Sequence, residues 1–210
     1  MIDTVIFDFD GTLADTNLII INSFKHIYNR FKKSEFDEKY VLSTFGEPLV
    51  LTLTRDFCEH DFEDVIACYR EYQQDRFLDE ITLYETVEET LEYLKNKNIK
   101  MGIATSRLKN STVQALENFK IAKYFDVVIS ADDVKKHKPD KEPLIKAMQI
   151  LNTSPDKTIY VGDSKFDMEC ALNANATPAL AGWQHGSAEL KEKYNIKHVL
   201  EKMWDLTKIV

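Results

Sequence analysis

From Ile81 onward the chain alternates short apolar runs with stretches whose apolar residues recur at helical spacing, and no other pattern in it restricts the fold so strongly. Met101-Gly102-Ile103-Ala104, Val127-Val128-Ile129 and Thr158-Ile159-Tyr160-Val161 read as buried strands, and Pro178–Ala181 and Val199-Leu200 as short terminal ones. Between them, helices are marked by Val87, Leu91 and Leu94, by Val113, Leu116 and Phe119, by Leu144, Met148 and Leu151, and by Met168, Ala171 and Ala174. Alternation of this kind predicts a parallel sheet covered by helices on both faces. The chain opens with one more such strand, Val5-Ile6-Phe7. Residues 15–80 then show no strand pattern. Leu18 to Phe31 predict a helix from about Asp15 to Lys33, with Asp15 or Thr16 able to cap it, and Phe62 to Phe77 predict another from about Asp61 to Leu78. Pro48 suits the first turn of a helix between them. The expected architecture is α/β: a Rossmann-like parallel-sheet core made of residues 1–15 and 81–210, with about four helices inserted over 16–80.

The first strand breaks into Asp8-Phe9-Asp10-Gly11-Thr12. Residues two apart in a strand share a side, so Asp8 and Asp10 are expected to project together from the carboxyl edge, where open α/β sheets place their ligands. Two adjacent carboxylates repel and call for a cation, a shared proton or both. Gly11 allows a sharp turn and close approach of backbone to a ligand, and Thr12 adds a hydroxyl and an N–H.

Later strand ends carry complementary groups. Thr105 and Ser106 follow the second core strand and offer donors for an anion. Lys138 precedes Pro139 in the loop after the third, and Asp163 and Asp167 follow the fourth. If Asp163 begins a helix, the four-residue spacing keeps both carboxylates near one side. A parallel sheet gathers all these ends at one edge. All-oxygen carboxylate ligands suit Mg²⁺, which also bridges phosphate oxygens, so the set reads as a phosphoryl-transfer site.

Composition narrows the setting. A net charge of −8 argues against binding a nucleic-acid backbone. No apolar run is long enough to span a bilayer and no signal peptide is evident. Cys58, Cys68 and Cys170 are odd in number and widely spaced, as expected of reduced cysteines in a cytoplasmic protein.

With these motifs the chain resembles the haloacid dehalogenase superfamily of phosphohydrolases. Asp8-Phe9-Asp10-Gly11-Thr12 matches its first motif, Thr105 its second, Lys138 its third and Gly162-Asp163-Ser164-Lys165-Phe166-Asp167 its fourth. The helical insert resembles the cap of the subgroup that includes phosphoglycolate phosphatases and β-phosphoglucomutases. Segments such as Tyr84-Glu85-Thr86-Val87 and Leu200-Glu201-Lys202-Met203 are similar to bacterial inorganic pyrophosphatases of that superfamily. The resemblance implies that Asp8 is the nucleophile and Asp10 the general acid and base. It implies Mg²⁺ on Asp8, the Asp10 carbonyl and Asp163, with Asp167 as a nearer or outer ligand. Gly11, Thr12, Thr105, Ser106 and Lys138 are then expected to bind the phosphoryl group of a small phosphate ester or of pyrophosphate. A phosphomutase is the principal alternative, with Arg55, Arg70 and Arg76 as candidates for a distal phosphate. Dehalogenation is disfavoured by Asp10, since a halide needs no acid, and a receiver-type phospho-acceptor needs neither Asp10 nor the insert. Two scaffold departures stand out: the family's usual Pro-Gly before the first core helix is Glu85-Thr86, and its glycine-rich turn after the fourth motif is Asn173-Ala174-Asn175-Ala176.

Overall fold

The strand Thr4–Phe7 (β1) is buried along its whole length and lies at the centre of the molecule. The structure is a computed structural model, and it describes residues 2–32, 35–184 and 186–210. After β1 the chain forms Ala14–Asp15 (β2), which pairs antiparallel with Thr82–Leu83 (β3). Between these two lie the helices Asn17–Ile27 (α1), Glu38–Ser43 (α2), Leu49–Asp56 (α3), Phe62–Gln74 (α4) and Phe77–Glu80 (α5). The remainder alternates: Val87–Asn96 (α6), Lys100–Ala104 (β4), Lys109–Asn118 (α7), Val127–Ile129 (β5), Glu142–Leu151 (α8), Thr158–Gly162 (β6), Lys165–Asn173 (α9), Thr177–Ala181 (β7), Ser187–Tyr194 (α10) and His198–Leu200 (β8).

Six strands form one parallel sheet in the order β5-β4-β1-β6-β7-β8. Val5 lies opposite Met101 on one side and Ile159 on the other. The two-residue period of a strand sorts the side chains between the faces. Val5, Phe7, Ile103 and Val161 pack with Leu91 and Leu94 of α6 and Leu116 of α7. Ile6 and Tyr160 pack with Leu144 and Met148 of α8 and with Ala171 of α9. The chain steps outward from β1 through β4 to β5, then returns to β1's other side for β6, β7 and β8. The reversal leaves a crevice at the carboxyl ends of β1, β4 and β6, the place such sheets offer to ligands.

The inserted helices bury an apolar cluster of their own, with Phe24, Ile27, Val41, Leu53, Phe57, Val65, Ile66 and Tyr69 at its centre. At the ends of the insert, Ile19 and Phe77 pack into the core cluster of the sheet instead.

Several local expectations are corrected. Among the described residues the insert has five helices rather than about four, because the helix expected from Asp61 to Leu78 is divided: α4 stops at Gln74 and α5 starts at Phe77. The first insert helix ends as α1 at Ile27 and continues as a π-helical turn, Tyr28–Lys32, in which Tyr28 meets Phe36 and Phe57 edge-on. Its expected last residue, Lys33, lies outside the described residues. Asp15 is in a strand, not a helix, although its Oδ1 still accepts from the Asn17 N–H at 3.1 Å. Two-residue strands are too short to carry a periodic signal.

Both departures from the family's glycines fall at left-handed backbone. Thr86 has φ +63° and Asn175 φ +56°. Asparagine tolerates that region and threonine does not. Thr86 is secured there by its neighbours: its hydroxyl accepts from the Trp204 N–H at 3.0 Å and its carbonyl from the Thr90 hydroxyl at 2.6 Å. The three cysteines are free. No helix among the described residues is long and apolar enough to cross a membrane.

Candidate active site

Asp8, Thr105 and Asp163 each directly follow the last residue of a strand, β1, β4 and β6, and parallel pairing brings them to a single edge. Lys138, on the loop before α8, reaches into the same place and is only 2% exposed. Its Nζ lies 3.1 Å from Asp8 Oδ2, 2.6 Å from Asp167 Oδ1 and 3.2 Å from the Tyr160 hydroxyl. Burial alone would lower the lysine pKa; the Asp167 and Asp8 carboxylates more than reverse this and hold it protonated.

Asp167 is anchored at both oxygens. Oδ1 receives Lys138 and lies 2.9 Å from the Tyr160 hydroxyl, while Oδ2 accepts from the Ser164 N–H at 3.0 Å and the Ser164 hydroxyl at 2.6 Å. This is a capping box, with Ser164 as the cap of α9. The helix therefore begins at Lys165 and not at Asp163, and the two acids of the fourth motif occupy different settings. Burial would raise the Asp167 carboxyl, but Lys138 and the Ser164 hydrogen bonds outweigh it and leave it below its ordinary value.

Asp163 stands in the loop, where its Oδ1 accepts from the Thr12 hydroxyl at 3.1 Å. Burial, with Asp167 and Asp8 nearby, pushes its pKa well above the ordinary value. Gly11, at φ +74°, makes that approach possible, because a Cβ there would sit 2.5 Å from Asp163 Oδ2. The Gly11 and Thr12 amides are bonded to Ala14 and Phe9 carbonyls, so the structure spends their donors inside the turn. Asp8 is pushed up to about 7, first by burial and then by Asp167 and Asp10, against the pull of Lys138.

Asp8 Oδ1 is buried and has no hydrogen-bond partner among the described residues. One oxygen each of Asp8, Asp163 and Asp167 lie within 4.8 Å of one another. Three clustered carboxylates face one lysine, and one carboxylate oxygen lacks any donor. That is the environment a hard divalent cation satisfies, so these residues fit Mg²⁺. With both Asp167 oxygens engaged, Asp8 and Asp163 have the oxygens free to ligate.

A cavity of about 1000 Å³ opens over this edge. The core contributes Asp8, Asp10, Gly11, Thr105, Ser106, Arg107 and Asp163 to its wall, and the insert contributes Phe45 to Val50, Thr52, Tyr69, Arg70 and Gln73 among others. Ser106 Oγ is buried there without a partner. Of the three arginines singled out in the insert, only Arg70 lines the cavity: Arg55 is paired with Glu47 and Asp56, and Arg76 stacks on Tyr72. The turn around Gly46 rests directly on the fourth-motif loop, since a Cβ on Gly46, at φ +80°, would lie 2.4 Å from Ser164 Cβ.

Sequence reasoning missed three participants. Tyr160 reads as an ordinary inward strand residue, and only the sheet register carries its hydroxyl to Lys138. Arg107 follows Thr105 and Ser106 directly, but nothing in the sequence pairs it with Asp10. Ser164 had a usable signal, the Ser-x-x-Asp spacing of a capping box.

A family model described as haloacid dehalogenase-like hydrolase matches residues 5–181. The chain is a haloacid dehalogenase-like hydrolase. The match spans both the sheet edge and the insert. Pyrophosphatase PpaX of Bacillus mycoides is 35% identical over 209 residues, covering 100% of this chain and 97% of that protein. The Bacillus cereus enzyme of the same name is 36% identical, with 100% and 96% covered. Among solved structures, a Lactobacillus plantarum protein provisionally named a phosphoglycolate phosphatase has a TM-score of 0.90 at 25% identity, with 100% of each chain covered. A predicted phosphatase from Clostridium acetobutylicum has a TM-score of 0.87 at 28% identity, covering 100% of this chain and 98% of that one. This haloacid dehalogenase-like hydrolase is an enzyme, and its chemistry is phosphohydrolysis.

Proposed function

We propose that the enzyme is a Mg²⁺-dependent phosphohydrolase that cleaves inorganic pyrophosphate or a small phosphate monoester through an aspartyl-phosphate on Asp8. The observation that carries this is Lys138 held between Asp8 and Asp167 while Asp8 Oδ1 has no partner. A nucleophilic carboxylate needs its charge balanced without being consumed by hydrogen bonds, and this arrangement provides that. Mg²⁺ on Asp8, the Asp10 carbonyl and Asp163 would neutralise charge between the carboxylate and the phosphoryl oxygens.

In the first step the Asp8 carboxylate attacks phosphorus and the bond to the leaving oxygen breaks. The electron pair leaves with that oxygen, and Asp10 delivers the proton. In the second, a water attacks the same phosphorus, Asp10 takes its proton, and the Asp8–phosphorus bond breaks to release phosphate. Thr105 and the unpartnered Ser106 hydroxyl hold the transferred oxygens, while Lys138, paired with Asp8 and Asp167, supplies the neighbouring positive charge. Thr12 acts here by holding Asp163, and Gly11 by making room for it. Asp167 acts by fixing Lys138. Residues 16–80 form a cap that closes the cavity from above, and the Gly46 turn on the Ser164 loop supports that reading.

Relatives named pyrophosphatase match this chain over its whole length, which favours pyrophosphate as substrate. The phosphomutase alternative needs cationic groups for a distal phosphate in the cap; Arg55 and Arg76 are otherwise engaged, which leaves Arg70 alone of the three candidates on the cavity wall. The free cysteines suit a reducing compartment, and we place the enzyme in the cytoplasm on that ground.

The test is phosphate release from pyrophosphate, phosphoglycolate and β-glucose-1-phosphate, with and without chelator, for the native enzyme and for Asp8→Asn. The expected result is turnover of pyrophosphate or phosphoglycolate, abolished by chelation and by Asp8→Asn. Conversion of the glucose phosphate to its isomer without phosphate release favours the mutase. Full turnover by folded Asp8→Asn protein excludes the proposed nucleophile.

A further inference from the structure

Arg107 is tied to two parts of the fold at once. Its Nε lies 3.1 Å from Asp10 Oδ1 and 3.0 Å from Oδ2. Its guanidinium carbon lies 4.1 Å from the centre of the Phe77 ring, at the start of α5 in the insert. The side chain is 9% exposed and lines the cavity. The rest of the fork is weakly used: Nη1 reaches the Ser111 hydroxyl only at 3.5 Å, and Nη2 has no hydrogen bond among the described residues.

The pair poses a conflict for the reaction. While both Asp10 oxygens face Arg107, the carboxyl is held on the guanidinium rather than on a leaving oxygen. Lys138 cannot relieve it, being committed to Asp8 and Asp167. Arg70, the other arginine on the cavity wall, stands on the insert and is exposed.

We propose that Arg107 determines specificity by exchanging ion-pair partners. It leaves Asp10 for a second anionic group on the leaving-group side of the substrate, and the exchange releases Asp10 to turn to the leaving oxygen. This rests on the role of Asp10 in the proposed function. A planar guanidinium matches a phosphate or carboxylate as well as it matches Asp10, and a phosphate carries the larger charge. The stack on Phe77 keeps the cation in the cavity during the exchange. The substrate class is therefore a phosphoryl group with a second anion next to the scissile bond: a second phosphoryl group, as in pyrophosphate, or a nearby carboxylate, as in phosphoglycolate. A simple alkyl phosphate offers nothing to take Arg107 from Asp10.

The test compares kcat/KM for pyrophosphate and for ethyl phosphate in the native enzyme and in Arg107→Gln at fixed free Mg²⁺. The ratio of the two substrates is expected to fall by about 10–100-fold in the variant, the value of one charge-assisted hydrogen-bonded pair. Arg107→Lys is expected to recover part of it. A ratio within about twofold of the native value overturns the proposal, because a structural or general catalytic role slows both substrates alike. A binding measurement on the native enzyme needs neither the variant nor turnover. Calorimetry is expected to show phosphonoacetate bound at least about 10-fold more tightly than methylphosphonate, and equal affinities overturn the exchange. A native enzyme that binds phosphonoacetate preferentially but hydrolyses none of pyrophosphate, phosphoglycolate and ethyl phosphate refutes the hydrolase reading and leaves the anion site standing.

Discussion

Two sites in this molecule are built from the same parts. At the sheet edge, Lys138 stands between Asp8 and Asp167, with Tyr160 beside it. In the insert, Arg55 stands between Glu47 and Asp56, with the Tyr40 hydroxyl 3.2 Å from its Nε and 2.6 Å from Asp56 Oδ1. The cation-to-carboxylate distances are alike, 3.1 and 2.6 Å in the core and 3.0 and 3.1 Å in the insert. Their surroundings are not. The Lys138 side chain is 1% exposed and the Arg55 side chain 48%. In the insert the carboxylates are largely covered, Glu47 at 16% and Asp56 at 6%, but the cation itself stands in water, which screens the pair and weakens what it returns. The first has lost its water, and every charge in it depends on the others. The carboxylates register the difference: Asp8 is driven up to about 7, whereas Glu47 is kept below its usual value by Arg55 and Thr52 despite partial burial. Similar distances thus make a fully buried charge cluster in one place and a clasp with a solvated cation in the other.

The largest test of this contrast is Lys138→Met. Removing the cation leaves Asp8 and Asp167 buried without compensation, and unfolding in urea at neutral pH is expected to show a loss of about 3–5 kcal/mol. A loss no greater than that of a surface pair would break the comparison. Next is Tyr160→Phe, which keeps the ring in the core and deletes the hydroxyl that meets Ala104 O, Asp167 and Lys138. The expected cost is about 1–2 kcal/mol by the same measurement. Smallest is Arg55→Met, for which a change of about 0–1 kcal/mol is expected. A larger value would mean that the clasp in the insert is insulated from water after all, and the two assemblies would then be energetically equivalent.

Much of the fold could be read without coordinates because its signals are local. Strand and helix periods lie within a few residues, so β1, β4, β5 and β6 and the helices between them fall where the patterns put them. The gathering of Asp8, Thr105, Lys138 and Asp163 also followed, since a parallel sheet leaves no other arrangement of its carboxyl ends. The errors lie where the signal was short or divided. The β2–β3 ribbon offers two residues per strand, and Asp75-Arg76 interrupts an apolar spacing that otherwise continues from α4 into α5.

Residue types in order, by themselves, determined the sheet, the insert and the list of groups at the sheet's carboxyl edge. Tertiary structure alone decided what each group does there. Asp163 and Asp167 are equivalent in sequence terms, yet one faces the cavity and the other is consumed by Ser164, Tyr160 and Lys138. Arg55, Arg70, Arg76 and Arg107 look interchangeable along the chain, but only Arg70 and Arg107 line the cavity, and only Arg107 holds Asp10. The physical reason is that a charge acquires its meaning from burial and partners, and these are set by residues far away in sequence. The Arg107–Asp10 pair joins positions 97 residues apart. A local pattern can say that a carboxylate stands at a strand end. Whether it meets water, a lysine or an arginine is settled by how the sheet and the insert pack together.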